Sequence, residues 1–195
     1  MTESERFASL LGHGLTRDQG ERLYRHQELL VKWNKKINLT TVTSMEAAAR
    51  RHYVESLFVV NHLPAEPLSL LDLGSGAGFP GIPIAVARPD VRVTLAEATQ
   101  RKAAFLKEAT RDLPNVRVLA LRAEVIMETF DWVTLRAVRW EMGFARLGRS
   151  FALLLSDMGL DRPGNSTEVS WQDPIRLPGS DHGVLLLGRK VPRGT

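Results

Sequence analysis

Apolar residues in the first sixty positions recur at helical spacing. Leu23, Leu29, Leu30 and Trp33 fall largely along one side of a helix. The stretch 34–41 breaks that pattern. Thr43, followed three residues later by Glu46, has the form of a capping box and predicts a further helix through Ala47, Ala48 and Ala49 toward Val60. Pro64 and Pro67 then punctuate the chain. We expect an N-terminal helical extension over residues 1–62 and a second unit over 63–195.

From Leu68 short apolar runs alternate with helical stretches. Strands are predicted at 68–73, 91–96, 116–121, 130–135 and 151–155. Helices are predicted at 81–88, near 99–112, and from the end of the fourth strand to about Arg149. This repetition implies an α/β, Rossmann-like fold: a mostly parallel sheet with helices on both faces. From Pro163 onward Pro and Gly crowd around two strand candidates, 167–171 and 184–187, expected to form an antiparallel C-terminal edge. The terminal segment 191–195 is expected to fray.

The informative chemistry lies where the first strand ends. Leu70-Leu71-Asp72-Leu73 runs into Gly74-Ser75-Gly76-Ala77-Gly78-Phe79-Pro80-Gly81. A strand, a tight glycine loop and a helix start make the arrangement that holds a nucleotide-like cofactor. Gly76-x-Gly78-x-x-Gly81 fits the dinucleotide fingerprint. Gly74-x-Gly76-x-Gly78 after an acid fits a loop for S-adenosylmethionine. Register favours the second, because the strand ends at Leu73 and the first glycine is Gly74. Pro80 lacks an N–H that a diphosphate would use, and Asp72 suits a sulfonium better than a pyrophosphate. Glu97 closes the second strand, where a carboxylate holds ribose hydroxyls in such sheets.

Several segments resemble the glucose-inhibited division protein B family. They are Asp72 through Gly81, Leu95-Ala96-Glu97, and Gln100-Arg101-Lys102-Ala103-Ala104-Phe105-Leu106. Upstream, Trp33-Asn34-Lys35-Lys36-Ile37-Asn38-Leu39-Thr40 and Arg51-His52-Tyr53-Val54-Glu55-Ser56-Leu57 are similar to its N-terminal signatures. Downstream, Arg122-Ala123-Glu124 and Phe130-Asp131-Trp132-Val133-Thr134-Leu135-Arg136-Ala137-Val138 follow in order. The resemblance implies a bacterial S-adenosylmethionine-dependent enzyme that methylates a guanine N7 in small-subunit (16S) ribosomal RNA. It implies a cofactor site of Asp72, Gly74, Gly76, Gly78, Phe79, Glu97, Ala123 and Glu124. Arg136 becomes the catalytic candidate, and Arg136, Arg139, His52 and Asn34 the candidates for RNA contact. Two departures stand out. Glu55 replaces the family's usual Asp, and Ser156-Asp157-Met158-Gly159 stands where a lysine and glycine are common.

Guanine N7 carries an in-plane lone pair and no proton. Its methylation needs alignment rather than a general base. Arginine matches the O6/N7 edge, and since N7 must stay free, O6 or a flanking phosphate is the target expected for Arg136. His52 has two readings: packing beside the glycine loop, or substrate contact. Asn34, Asn38 and Thr40 either order the link between helices, cover the cofactor or touch RNA.

Net charge is +4, a mild bias toward a polyanion, with cations spread in small groups rather than one block. Without cysteine there is no disulfide, cysteine–zinc site or thiol nucleophile, and five scattered histidines lack metal-ligand spacing. No run reaches membrane-span length and no signal peptide is evident. We expect a cytoplasmic monomer acting on 16S ribosomal RNA or a precursor of the small subunit. The competing readings are a methyltransferase of a small molecule or protein, and a non-catalytic RNA-binding protein that keeps the fold. A nicotinamide dehydrogenase comes last.

Overall fold

A computed structural model describes residues 1–12, 14–156, 163 and 167–192. The segment Asp157-Met158-Gly159 and the last three residues, expected to depart from the family and to fray, lie outside the described residues.

Among the described residues eight strands make one sheet: β1 (Ser69–Leu73), β2 (Arg92–Ala96), β3 (Val116–Leu119), β4 (Phe130–Arg136), β5 (Gly148–Ser156), β6 (Val169–Trp171), β7 (Ile175–Arg176) and β8 (Gly183–Lys190). Their order is β3-β2-β1-β4-β5-β8-β6, with β7 paired to β8. The first five are mutually parallel. β8 runs antiparallel to β5, β6 and β7. The expected antiparallel edge is present, with β8 inside it, and β7 is an addition that its two residues gave no pattern to reveal. The central strands are apolar on both faces, as buried parallel strands must be. From β1 the chain moves outward to β2 and β3, then returns to β4 on the other side of β1. That reversal opens a crevice at the carboxyl ends of β1 and β4, where ligands settle in open α/β sheets.

The α-helices are α1 (Glu3–Leu11), α2 (Arg17–Asn34), α3 (Met45–Ala48), α4 (Glu55–Val60), α5 (Gly81–Ala87) and α6 (Gln100–Ala109), with a π-helical stretch Ala49–Val54 joining α3 to α4. Capping boxes open α1 at Thr2 and Glu5 and α2 at Thr16 and Gln19. The box expected at Thr43 and Glu46 is absent. Ser44 is the cap, its hydroxyl accepting the Ala47 N–H at 3.1 Å.

Helices on both faces were expected, and this too needs correcting. The side chains of all six helices gather on one face, where Phe7, Leu23, Leu30 and Tyr53 share a core with Leu70, Ile84, Leu95 and Phe105. Among the described residues the other face carries no α-helix. Leu71, Val133 and Leu153 are covered there by Ile126, Phe144 and Trp140. The helix expected to reach Arg149 is only a 3-10 turn, Met142–Arg146. Ala137 takes a left-handed φ of 53° directly after β4, which breaks any helix at its start. Trp140 then packs edge-on against Phe151 and Trp171, with ring centroids 5.1 and 5.0 Å apart.

Candidate cofactor and base site

The glycine loop leaves β1 through Gly74, Gly76 and Gly78, whose φ values are 71°, 55° and 89°. A Cβ at Gly78 would stand 2.4 Å from Ile82 Cδ1, so this glycine is needed for packing as well as for its backbone. Gly76 differs. A Cβ there would meet nothing nearer than the Gly74 carbonyl at 3.8 Å, so its bare side faces open space. That is the cradle a ligand needs for close approach to the backbone.

Neighbouring groups hold most of the loop's amides. Gly74 and Ser75 donate to the Ala96 carbonyl at 2.8 and 3.1 Å, and Gly78 and Phe79 to the Ser75 carbonyl at 2.7 and 3.2 Å. The Gly76 N–H reaches Glu97 Oε2 at 3.0 Å, while Glu97 Oε1 accepts the Thr99 N–H at 2.8 Å. Glu97 therefore ties the loop to the end of β2, and each of its oxygens keeps a lone pair for a ligand hydroxyl.

Asp72 has no exposed surface. Its Oδ2 accepts the Gly81 N–H at 3.1 Å and its Oδ1 the Thr134 hydroxyl at 3.1 Å. Burial pushes its pKa up to about 6, against the pull of these hydrogen bonds. The structure thus places Asp72 behind the loop, fixing the start of α5, rather than at a ligand-facing surface. Ala123 and Glu124 lie in the 3-10 turn Ala123–Val125 that follows β3, and their carbonyls accept from the Arg146 guanidinium at 2.9 and 3.0 Å.

Arg136 is the last residue of β4. Its Nη2 donates to Glu55 Oε2 at 2.7 Å and to the Arg51 carbonyl, and its buried Nη1 has no acceptor among the described residues. The pair is largely shielded, with side-chain exposures of 20% and 8%. Burial raises the Glu55 pKa and lowers that of Arg136, and the partner opposes each shift. A cleft of ≈ 270 Å³ opens beside them, lined by Arg51, Glu55, Arg136, Leu155, Ser156 and His182 among others.

His52 stacks on Phe79, with centroids 4.7 Å apart and planes 27° from parallel, and its Nε2 is 2.8 Å from Thr40 Oγ1. Burial first, and the Arg136 charge second, bring its pKa down to about 4. Asn34 orders the turn that follows α2. Its Oδ1 accepts the Leu39 and Thr40 N–H groups at 2.8 and 3.0 Å, and its Nδ2 donates to the Thr40 carbonyl at 2.9 Å. Asn38, a candidate for that role in the sequence, is exposed. Arg139 is exposed beyond β4, without an ion pair among the described residues.

Sequence reasoning missed two residues that meet this site. His26 Nε2 lies 3.0 Å from the Ala77 carbonyl, and Tyr53 Oη lies 2.7 Å from His26 Nδ1. The available signal was a histidine on the apolar stripe of α2, between Leu23 and Leu30, where a polar ring must find partners.

The fold is shared with a S-adenosylmethionine-dependent methyltransferase from Aquifex aeolicus, at a TM-score of 0.59 and 13% identity over 74% of this chain and 93% of that one. The family profile for rRNA small subunit methyltransferase G matches residues 19–151. Fold, glycine cradle and the family match together define the class: an S-adenosylmethionine-dependent methyltransferase. A protein of that name from Roseiflexus sp. is 42% identical over 92% of this chain and 87% of its own length. Another from Chromobacterium violaceum is 41% identical over 74% and 69%. The chain belongs to the rRNA small subunit methyltransferase G (GidB) family.

Proposed function

We propose that this protein transfers a methyl group to the N7 of a guanine in 16S ribosomal RNA, and that Arg136 orients the base. The observation that carries this reading is the placement of Arg136. It ends β4 at the crevice beside the glycine loop, with a buried donor unspent and a cleft at its side. When bound, S-adenosylmethionine supplies an electrophilic methyl on a sulfonium. The open side of Gly76 and the lone pairs of Glu97 suit the cofactor, with Gly74, Gly78, Phe79, Ala123 and Glu124 around it. Asp72 acts by holding the loop. Arg136 donates to guanine O6 or a flanking phosphate and leaves N7 free to attack. No proton is removed, so the chain needs no base there. His26 and His52, both brought down to about 4, stay neutral and offer no competing charge.

The distribution of charge supports a polyanionic substrate. At the amino edge of the sheet, five arginines are paired: Arg17 with Glu21, Arg22 with Asp18, Arg88 with Asp90, Arg117 with Glu128 and Arg149 with Asp131. At the carboxyl edge, Lys35, Lys36, Arg51, Arg101, Arg122 and Arg139 are exposed and make no ion pair among the described residues. Among the acids, Glu124, Glu141 and Asp181 stand exposed near them. Arg92, Arg111 and Arg189 are likewise exposed without an ion pair among the described residues at the amino edge, so positive charge is not confined to one side, and the carboxyl-edge group is the one that surrounds the site. Among the described residues no helix is long and apolar enough to cross a membrane. The same reading has the protein act as a cytoplasmic monomer on ribosomal RNA or a small-subunit precursor.

The test pairs cofactor calorimetry with mass spectrometry of methylated small-subunit RNA. Arg136→Ala is expected to keep cofactor affinity near wild type and to slow transfer roughly tenfold to hundredfold, for about 1–3 kcal/mol of lost orientation. Arg136→Lys keeps the charge beside Glu55 but not the planar fork, so partial recovery is expected. Wild-type rates in folded Arg136→Ala would remove the arginine from the mechanism. A product other than N7-methylguanine would overturn the reaction itself.

A further inference from the structure

We propose that His26 and Tyr53 are positioning residues for the cofactor loop, fixing the peptide between Ala77 and Gly78 and thereby setting cofactor affinity. The proposal rests on reading 74–79 as the S-adenosylmethionine loop.

α2 rises from the amino edge, where Gln19 Nε2 donates to the Val86 carbonyl at 3.0 Å, and passes under the loop at His26. A carbonyl only accepts, so the proton of the neutral ring sits on Nε2 and points at the Ala77 oxygen, 3.0 Å away. Nδ1 is then an acceptor, and the Tyr53 hydroxyl donates to it at 2.7 Å. Tyr53 comes from the π-helical stretch, so two separate N-terminal elements converge on one loop carbonyl. Both side chains are buried, at 3% and 0% exposure, and pack edge-on against Phe79 with centroids 5.3 and 4.9 Å apart. Burial holds the His26 pKa at about 4, so the ring stays neutral and this proton arrangement is kept at neutral pH.

The loop needs such a tether at this point. Ala77 lies between Gly76 and Gly78, both in the left-handed region that glycine enters freely. The peptides on either side of Ala77 can therefore rotate at little cost. His26 holds the carbonyl side of one of them, and the Ser75 carbonyl holds its N–H side, at Gly78, at 2.7 Å. Of the amides from Gly74 to Phe79, only that of Ala77 donates to no group among the described residues. That N–H belongs to the neighbouring Gly76–Ala77 peptide, which lies between two held peptides: the tethered one on its C-terminal side and, on its N-terminal side, the one whose Gly76 N–H Glu97 accepts at 3.0 Å.

Calorimetry of S-adenosylmethionine with folded variants tests this. His26→Leu removes the donor, and affinity is expected to fall about 5- to 150-fold, the loss from a broken buried hydrogen bond. His26→Gln carries an amide N–H to nearly the same place and is expected to recover most of the affinity. Tyr53→Phe keeps the ring and is expected to fall between them, and it carries the test if the leucine variant does not fold. In the cofactor-free protein, imidazole nitrogen NMR shifts should show Nε2 protonated and Nδ1 as acceptor at pH 7. Equal affinities across the folded variants, equal losses in His26→Leu and His26→Gln, or the opposite tautomer would each overturn the proposal alone. Failure of the wild-type protein to bind S-adenosylmethionine would overturn the loop reading and the proposal together.

Discussion

Asp72 is a carboxylate with no route to water, and its titration should be visible in stability. Its folded-state pKa of about 6 lies above the ordinary 3.8. Between those values the native protein holds a proton that the unfolded chain has released. The destabilisation from its buried charge is thus absent below about pH 4 and complete above about pH 6. Asp72→Asn is expected to gain on wild type as pH rises from 4.5 to 7, by up to about 2 kcal/mol. Urea unfolding at both pH values measures it, and a pH-independent difference would contradict it. His26 works the other way. Its pKa is lowered to about 4 from 6.5, so its contribution is complete above about 6.5 and lost as pH falls through 4. The residues legible in the sequence are those that chain adjacency delivers, such as the glycines and acids at the ends of β1 and β2. His26 meets Ala77 across 51 residues and Glu55 meets Arg136 across 81. No local pattern encodes such pairs.

At the scale of elements, strand positions were readable because each strand carries its own apolar run and its own stop. The caps of α3 and the connection after β4 were not. There a left-handed alanine and a tryptophan drawn to distant aromatic rings override the local helical pattern. The N-terminal helices are read as an extension, yet their side chains share a core with α5 and α6. They also supply His26, Tyr53 and Glu55. A protein beginning at residue 63 is therefore expected to expose Ile82, Ile84 and Phe105, to lose its cooperative thermal transition and to bind no S-adenosylmethionine. Calorimetric melting and cofactor titration of that fragment check this. A sharp transition with intact affinity would make the extension a separate domain.

For the whole molecule, net charge understates the field around the site, because several arginines of the amino edge are paired while the exposed cations of the carboxyl edge are not. RNA affinity should then depend on salt chiefly through the carboxyl edge, which surrounds the site. Removing Lys35 and Lys36 together is expected to reduce the slope of log affinity against log salt by roughly 1.4, if each meets one phosphate of a single strand. Arg17→Ala, at the paired edge, is expected to leave it unchanged. Filter binding of a small-subunit RNA fragment over a range of potassium chloride measures both, and equal changes would remove the asymmetry. The far side of the sheet has a different dependence, on order in time. Among the described residues β6 pairs only with β8, which the ribosome makes later. Trp171, at the end of β6, is one of the rings that seat Trp140. A nascent chain paused between these strands would have β5 ending in a bare edge and Trp140 lacking part of its cover. The glycine loop and the early strands can form first, but neither face is sealed until β8 slides in between strands already made, because its Leu185 and Leu187 complete the helical face and its Val184 and Leu186 the other.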